Sequence, residues 1–327
     1  MEIQKQTPTR VDLAGGTLDF WPIYLLIDKA MTINCSISIF SNVKLSSRED
    51  GEIHCKIENL NFEKTYSNHD DFVKSKDPEV LLVQVVAEYF GDVGGYSIRT
   101  HSQSPVGGGL GGSSSLCVAI IQAYLQKTGK TLELVELATL AANLEAKVLK
   151  TPTGMQDHFP AANVGLNCIR FGALGPEVEN IDFDSTFFNK SFFLVDTGKA
   201  HHSGINNWSV FKSVIEGDQK VIAALNEINR ITHMLYGVLK EKQYDALPEL
   251  FNQEYEARIQ LAKCFSSPEI EKLREITMNS GALSVKICGA GGGGCVLVMT
   301  EPNTRQRVME SCQNENFQPL EIQFLTS

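Results

Sequence analysis

The run Pro105-Val-Gly-Gly-Gly-Leu-Gly-Gly-Ser-Ser-Ser115 constrains the fold more than any other stretch of the 327-residue chain. It follows a short β-type run, Tyr96–Thr100, and opens a mostly apolar helical pattern over Ser114–Lys127. Glycines let backbone N–H groups crowd around a ligand, and a helix N-terminus adds about half a positive charge. A strand, a glycine turn and a helix start in that order make an anion cradle, and phosphate is its usual occupant. Twelve of the 26 glycines lie in this run and in two others, Gly15–Gly16 and Gly289–Gly294, so placement carries the information.

Two of these runs imitate the dinucleotide fingerprint Gly-x-Gly-x-x-Gly, at Gly107, Gly109 and Gly112 and at Gly289, Gly291 and Gly294. That fingerprint needs a parallel strand after its helix, ending in an acidic residue about 20 positions on. Glu133 has the spacing but lies in a second helical pattern, about Leu132–Leu149, with Thr131 as the expected N-cap. The third run leads from strand to strand and opens no crossover helix. Both facts weigh against an NAD-dependent oxidoreductase. Gly129-Lys130-Thr131 resembles the tail of a P-loop, but Tyr124 stands where its first glycine belongs.

Strand-type runs cover residues 6–14, 31–48 and 52–58, and the polar stretch Ser67–Lys76 reads as a surface loop. Helical spacing marks Pro78–Phe90, and Leu166–Phe171 and Phe192–Val195 read as buried strands. Beyond residue 200, long helical patterns cover about 217–242, 244–264 and 267–280. They lead to a strand (Ala282–Ile287), the third glycine run, a strand (Cys295–Met299), a helix (Thr304–Cys312) and a last strand near Leu320–Leu325. The simplest partition is an α+β N-terminal domain, 1–190, and a helix-rich α+β C-terminal domain, 191–327.

A net charge of −10 opposes nonspecific binding to nucleic acid or to an anionic membrane, since both need a basic field. It leaves a local anion site open. Eight scattered cysteines without a Cys-x-x-Cys pair read as small buried hydrophobes. No apolar leader opens the chain and no run nears 18 apolar residues, so the expected location is cytoplasmic.

Glu145 shares a helix face with Ala138, Ala141, Ala142, Val148 and Leu149. A carboxylate on such a face must be paired, by a core arginine for instance, or must bind a metal. Arg10 and Asp12 project from one face of the first strand, while Val11 and Leu13 take the other.

Three motifs taken in order resemble the GHMP kinases: Pro8-Thr-Arg10-Val-Asp-Leu-Ala-Gly15-Gly16-Thr-Leu-Asp19, Pro105–Ser115, and Lys286-Ile-Cys-Gly289-Ala-Gly291-Gly-Gly-Gly-Cys295. The resemblance spans nearly the whole chain. It implies a two-domain fold, with an N-terminal ribosomal-protein-S5-domain-2-like domain and a ferredoxin-like, helix-rich C-terminal one. It also implies an ATP-dependent kinase acting on a small molecule, with ATP and Mg2+ as cofactors. Sugar kinases of this superfamily carry a Gly-x-x-Asp motif, matched by Gly154-Met-Gln-Asp157, and a magnesium-binding glutamate twelve residues upstream of that aspartate, matched by Glu145.

Carried over residue by residue, the resemblance makes Asp157 the base and Arg10 its catalytic partner. Pro105, Gly107, Gly108, Gly109, Leu110, Gly111, Gly112, Ser113 and Ser114 are placed around the ATP phosphates, and Ser113 and Glu145 on magnesium. Asp19, Gly154, Gly289 and Gly291 are placed at the substrate. Arg10, where mevalonate kinases carry lysine, points to a sugar acceptor and an anomeric hydroxyl. Gly112 departs from the superfamily's first serine. Gly16 before Thr17 and Asp19 resembles the heptose 7-phosphate kinase and fucokinase branch more than galactokinases. Lys199, His201 and His202 cluster after a buried strand, where that branch can contact a substrate phosphate. The expected substrate is a sugar or sugar phosphate; a free hexose and a non-catalytic sugar and ATP sensor are the alternatives. The oligomeric state is not legible.

Overall fold

β1 (Glu2–Ala14) is an amphipathic strand only at its start; its last eight residues, Thr7–Ala14, are all buried, so both faces are covered. It pairs antiparallel with β2 (Met31–Ser47) along nearly its full length, after the four-residue α1 (Ile23–Leu26). The structure is a computed structural model that describes residues 1–199, 203–262, 265–289 and 291–327.

The first sheet has seven strands. β3 (Ile53–Ile57) and β4 (Phe62–Tyr66) form a hairpin, and α2 (His69–Lys74) and α3 (Leu81–Phe90) cross over to β5 (Tyr96–Ser102), which lies parallel to β3. The other pairings in this sheet are antiparallel. β2 is long enough to pair β5 through residues 41–47 and β6 (Leu166–Gly172) through residues 31–35; β7 (Gly175–Ile181) closes that edge. Between β5 and β6 run α4 (Gly112–Thr128), α5 (Leu134–Leu149) and α6 (His158–Ala162). Ile98, Val118, Ile121, Tyr124 and Leu137 belong to the core that joins these helices to the sheet.

After α7 (Ser185–Ser191), β8 (Phe192–Asp196) starts a second sheet of order β11-β8-β10-β9, antiparallel throughout. Among the described residues, four α-helices follow it, α8 (Ser203–Ile215), α9 (Gln219–Lys240), α10 (Leu247–Arg258) and α11 (Pro268–Asn279). The hairpin β9 (Ala282–Ile287) and β10 (Cys295–Thr300), α12 (Arg305–Asn314) and β11 (Gln318–Leu320) complete the chain. One core runs through both halves: Val11 and Leu13 of β1 share it with Leu225, Phe251 and Leu297. The last residues also return to the first sheet, where Leu325 N donates to Ser36 O (2.9 Å). Among the described residues, no helix is long and apolar enough to cross a membrane, and the seven cysteines are buried free thiols.

Several elements differ from the sequence reading. Ser67–Lys76 is not all loop: Asn68 caps α2 by accepting from Asp71 N (2.9 Å), and Phe72 anchors it. Polar helix starts look like loops because capping residues and first-turn acids are polar. The cap of α5 is Glu133, not Thr131, through a reciprocal capping box with Glu136. β4 and β7 were not expected; both are edge strands with few buried residues, so they lack strong alternation. α8 was not expected either, and the last strand ends at Leu320, with Phe324 bridging to Ile37 instead.

Candidate active site

The glycine run forms the loop between β5 and α4. Gly111, the residue capping α4, adopts a left-handed conformation (φ 70°), and no side chain caps the helix. The first amides of α4 are therefore open to an anion. The loop borders a cleft of about 470 Å³, within the range of small-molecule sites. Its polar end holds Arg10, Asp19, Ser113, Glu145 and Asp157; its other wall is apolar, with Ile57, Leu81, Leu82, Leu116 and Val148. Those apolar residues come from four separate segments of the chain and carry no sequence signal of a shared wall.

Arg10 ties the loop to the Gly-x-x-Asp segment. Buried on β1, it donates from Nε and Nη2 to Asp157 Oδ1 (2.8 and 2.5 Å) and from Nη1 to Gly109 O (2.5 Å). Both carboxylate contacts fall on Oδ1, while Oδ2 faces Gly111. Burial opposes the charge on Arg10, but Asp157 and Asp12 outweigh it and raise its pKa.

Asp19 and Glu145 are both 3% exposed. Asp19 accepts from Gln156 N (3.0 Å). Burial raises its pKa, and with Asp157 and Asp12 nearby the carboxyl is pushed up to about 6. Its Oδ2 lies only 2.0 Å from where a Cβ on Gly154 would stand, so any side chain at 154 would displace the Asp19 carboxylate. Glu145, on α5, accepts from Ser114 Oγ (2.7 Å) and lies 2.9 Å from His158 Nε2. Burial raises this carboxyl too, but His158, Ser113 and Ser114 win and hold it below its ordinary value. His158, fully buried, is shifted upward: burial opposes its charge and Glu145 outweighs that. The partner of Glu145 is thus a histidine and not a core arginine.

Glu145 and Ser113 offer hard oxygen donors beside the loop, and this set fits a magnesium ion. Among the described residues no group of three or more His, Cys, Asp or Glu gathers. Mg2+ does not need one, because one or two protein ligands with phosphate and water oxygens suffice.

Two family models match the chain: the GHMP kinases N terminal domain over residues 79–165 and the GHMP kinases C terminal domain over 235–318, together more than half of its length. The chain belongs to the GHMP kinases. It is 26% identical to D-glycero-alpha-D-manno-heptose 7-phosphate kinase of Campylobacter jejuni, over 96% of this chain and 94% of that one. The bifunctional fucokinase/GDP-fucose pyrophosphorylase of Arabidopsis thaliana is 23% identical over 94% of this chain, but the match spans only 31% of that larger protein. Among solved structures, a D-glycero-D-manno-heptose 1-phosphate kinase from Bacteroides thetaiotaomicron superposes with a TM-score of 0.80 at 20% identity, covering 100% of this chain and 97% of that one. The architecture is the α+β, two-domain GHMP kinase fold.

Within this family the departure at Gly112 has a steric cause. A Cβ there would lie 2.7 Å from the Ser104 Cβ and 2.8 Å from its hydroxyl oxygen, so Ser104 already fills the space a serine side chain would need. The third glycine run packs here backbone to backbone on the glycine loop before α4: Cys295 N donates to Gly108 O (2.8 Å), and Gly289 lines the cleft. Gly291 instead packs on the backbone of Phe265. Lys199 does not line the cleft; its ammonium pairs with Glu269 (2.9 Å) on α11. His201 and His202 lie outside the described residues. Sequence reasoning missed His158, although it directly follows Asp157. It also missed Arg258, whose i, i+4 pairing with Glu254 was legible but whose burial was not.

Proposed function

We propose that this GHMP kinase transfers the γ-phosphate of ATP to the anomeric hydroxyl of a sugar phosphate of the heptose 7-phosphate kind. The observation that carries the reading is the single guanidinium of Arg10, which holds both Asp157 and the phosphate loop at Gly109. It keeps the Asp157 carboxylate beside the glycine loop, which supports a reading in which that carboxylate meets an acceptor hydroxyl in line with the γ-phosphate.

In this scheme the loop 107–115 and the start of α4 take the β- and γ-phosphates, and the apolar wall takes the nucleobase. Asp157 Oδ2, the oxygen Arg10 does not engage, accepts the sugar hydroxyl proton as the new O–P bond forms and the bond to ADP breaks. Arg10 remains on Oδ1 and offsets charge at the transferring group. Asp19, against Gly154, binds sugar hydroxyls: a buried carboxylate with one backbone donor still has lone pairs to satisfy. When bound, magnesium supplies charge neutralisation on the phosphates, and Glu145 and Ser113 would hold it.

The heptose 7-phosphate kinase of Campylobacter jejuni, matched over 96% of this chain, supports a phosphorylated acceptor. One observation favours a free hexose instead: Lys199, expected at the substrate phosphate, is engaged with Glu269. Lys199→Ala separates the two. Loss of activity on the phosphorylated sugar alone supports the first reading, and activity on the free hexose only, in wild type and variant alike, supports the second.

A further inference from the structure

Four charged side chains, each no more than 1% exposed, meet between the two sheets: Asp12 of β1, Glu254 and Arg258 of α10, and Lys286 of β9. The phosphoryl-transfer scheme uses none of them. Arg258 Nε donates to Glu254 Oε1 (2.8 Å), and Nη2 contacts the same oxygen. Its remaining N–H groups reach two backbone carbonyls, Gly16 O from Nη2 (3.3 Å) and Gly289 O from Nη1 (3.4 Å). Lys286 Nζ lies 3.2 Å from Glu254 Oε2 and 3.6 Å from Asp12 Oδ2.

The set is neutral, but it is not an efficient stabiliser. Both Asp12 oxygens and Glu254 Oε2 have ion contacts at 3.2–3.6 Å or none, and accept no well-formed hydrogen bond. Well-packed apolar residues often stabilise as much as a buried ion cluster, so geometry is what such a cluster can specify. The two carbonyls that Arg258 holds belong to opposite halves of the cleft. Gly16 lies in the turn that leads to Asp19. Gly289 lies against the phosphate loop, where its Cβ position would be 3.0 Å from Gly109 O.

We propose that Arg258 is a positioning residue: it locks the acceptor turn at Gly16 to the donor-side turn at Gly289 and so keeps the sugar hydroxyl in line with the γ-phosphate. This rests on the kinase reading above. A rigid, planar fork is required, because one lysine ammonium cannot hold two carbonyls and the Glu254 carboxylate in fixed directions.

The test is Arg258→Lys, which keeps the charge, with sugar phosphorylation and ATP hydrolysis by water measured in the same reaction. Their ratio does not depend on the fraction of folded enzyme, so a merely structural role leaves it unmoved. The expected result is a fall in kcat for sugar on the order of 100-fold, as for a displacement near 1 Å, with a larger share of ATP lost to water. Glu254→Gln, which loosens the anchor of Arg258, should move the ratio the same way by less, and it decides the matter if Arg258→Lys does not fold. A wild-type ratio and sugar KM in the folded variants overturn the proposal. A wild-type protein that phosphorylates no sugar counts against the kinase reading instead. The spacing of the Gly16 and Gly289 carbonyls in crystals of the variant then decides: wider supports the positioning role, and unchanged overturns it.

Discussion

Glu145 and Asp19 are equally hidden, each 3% exposed, but they sit in opposite electrostatic settings. On the proposed donor side, His158, Ser113 and Ser114 surround Glu145 and hold its pKa below the ordinary value against its burial. On the acceptor side, Asp19 faces Asp157 and Asp12, with one backbone N–H from Gln156, and its pKa rises to about 6. Burial is common to both, so the neighbours set the difference. A carboxylate kept charged suits a cation. One left under-satisfied suits neutral hydroxyl donors, which relieve its desolvation without cancelling its charge.

The comparison can be broken at either end. The largest expected effect lies between them, at the base: Asp157→Asn should lower sugar-dependent turnover by about 10²–10⁴-fold, the usual range for removing a general base. ATP binding, followed by calorimetry, should survive. Near-normal turnover would remove Asp157 from the mechanism. On the donor side, Glu145→Gln leaves His158 buried without its anion. It should cost about 3 kcal/mol of stability in urea unfolding, in line with a broken buried pair.

Asp19→Asn should do the reverse on the acceptor side. The Asp19 carboxyl has a folded pKa of about 6 against 3.8 ordinarily, so the native state takes up its proton first as pH falls. Its contribution to stability is full below 3.8 and is lost as pH rises through 6. The variant should therefore be more stable than wild type at pH 7, by up to about 3 kcal/mol, less what the Gln156 contact contributes. The gain should vanish as pH falls toward 4, which thermal unfolding across pH would follow. Meanwhile the sugar KM should rise. The smallest effect is expected at Lys199: an exposed pair contributes about 0–1 kcal/mol, so Lys199→Ala should barely move the melting temperature.

Much of the donor side was legible in the sequence. The glycine run reads locally as an anion cradle, and the GHMP resemblance marks Ser113, Glu145 and, beside them, Gly154 and Asp157, all of which line the cleft. Arg10 was legible through the same resemblance; alternation along its strand placed it only on a face with Asp12, not beside Asp157. The partners were not. His158 reaches Glu145 from another helix, and Arg258 bridges Gly16 and Gly289 from a helix far along the chain. Both depend on how helices pack, and their charged or polar character reads as surface. The same limit hid β4 and β7, edge strands with mostly solvated side chains, whereas the buried strands β6, β8, β9 and β10 stood out as apolar runs.

The most direct test is phosphorus NMR of the products formed when the purified protein is given ATP, magnesium and a panel of hexoses, heptoses and their phosphates. The account predicts stoichiometric ADP and a new phosphate ester on the anomeric carbon of a sugar phosphate, absent with Asp157→Asn. ATP left unconsumed with every sugar, or a phosphate placed on any carbon but the anomeric one, would contradict it.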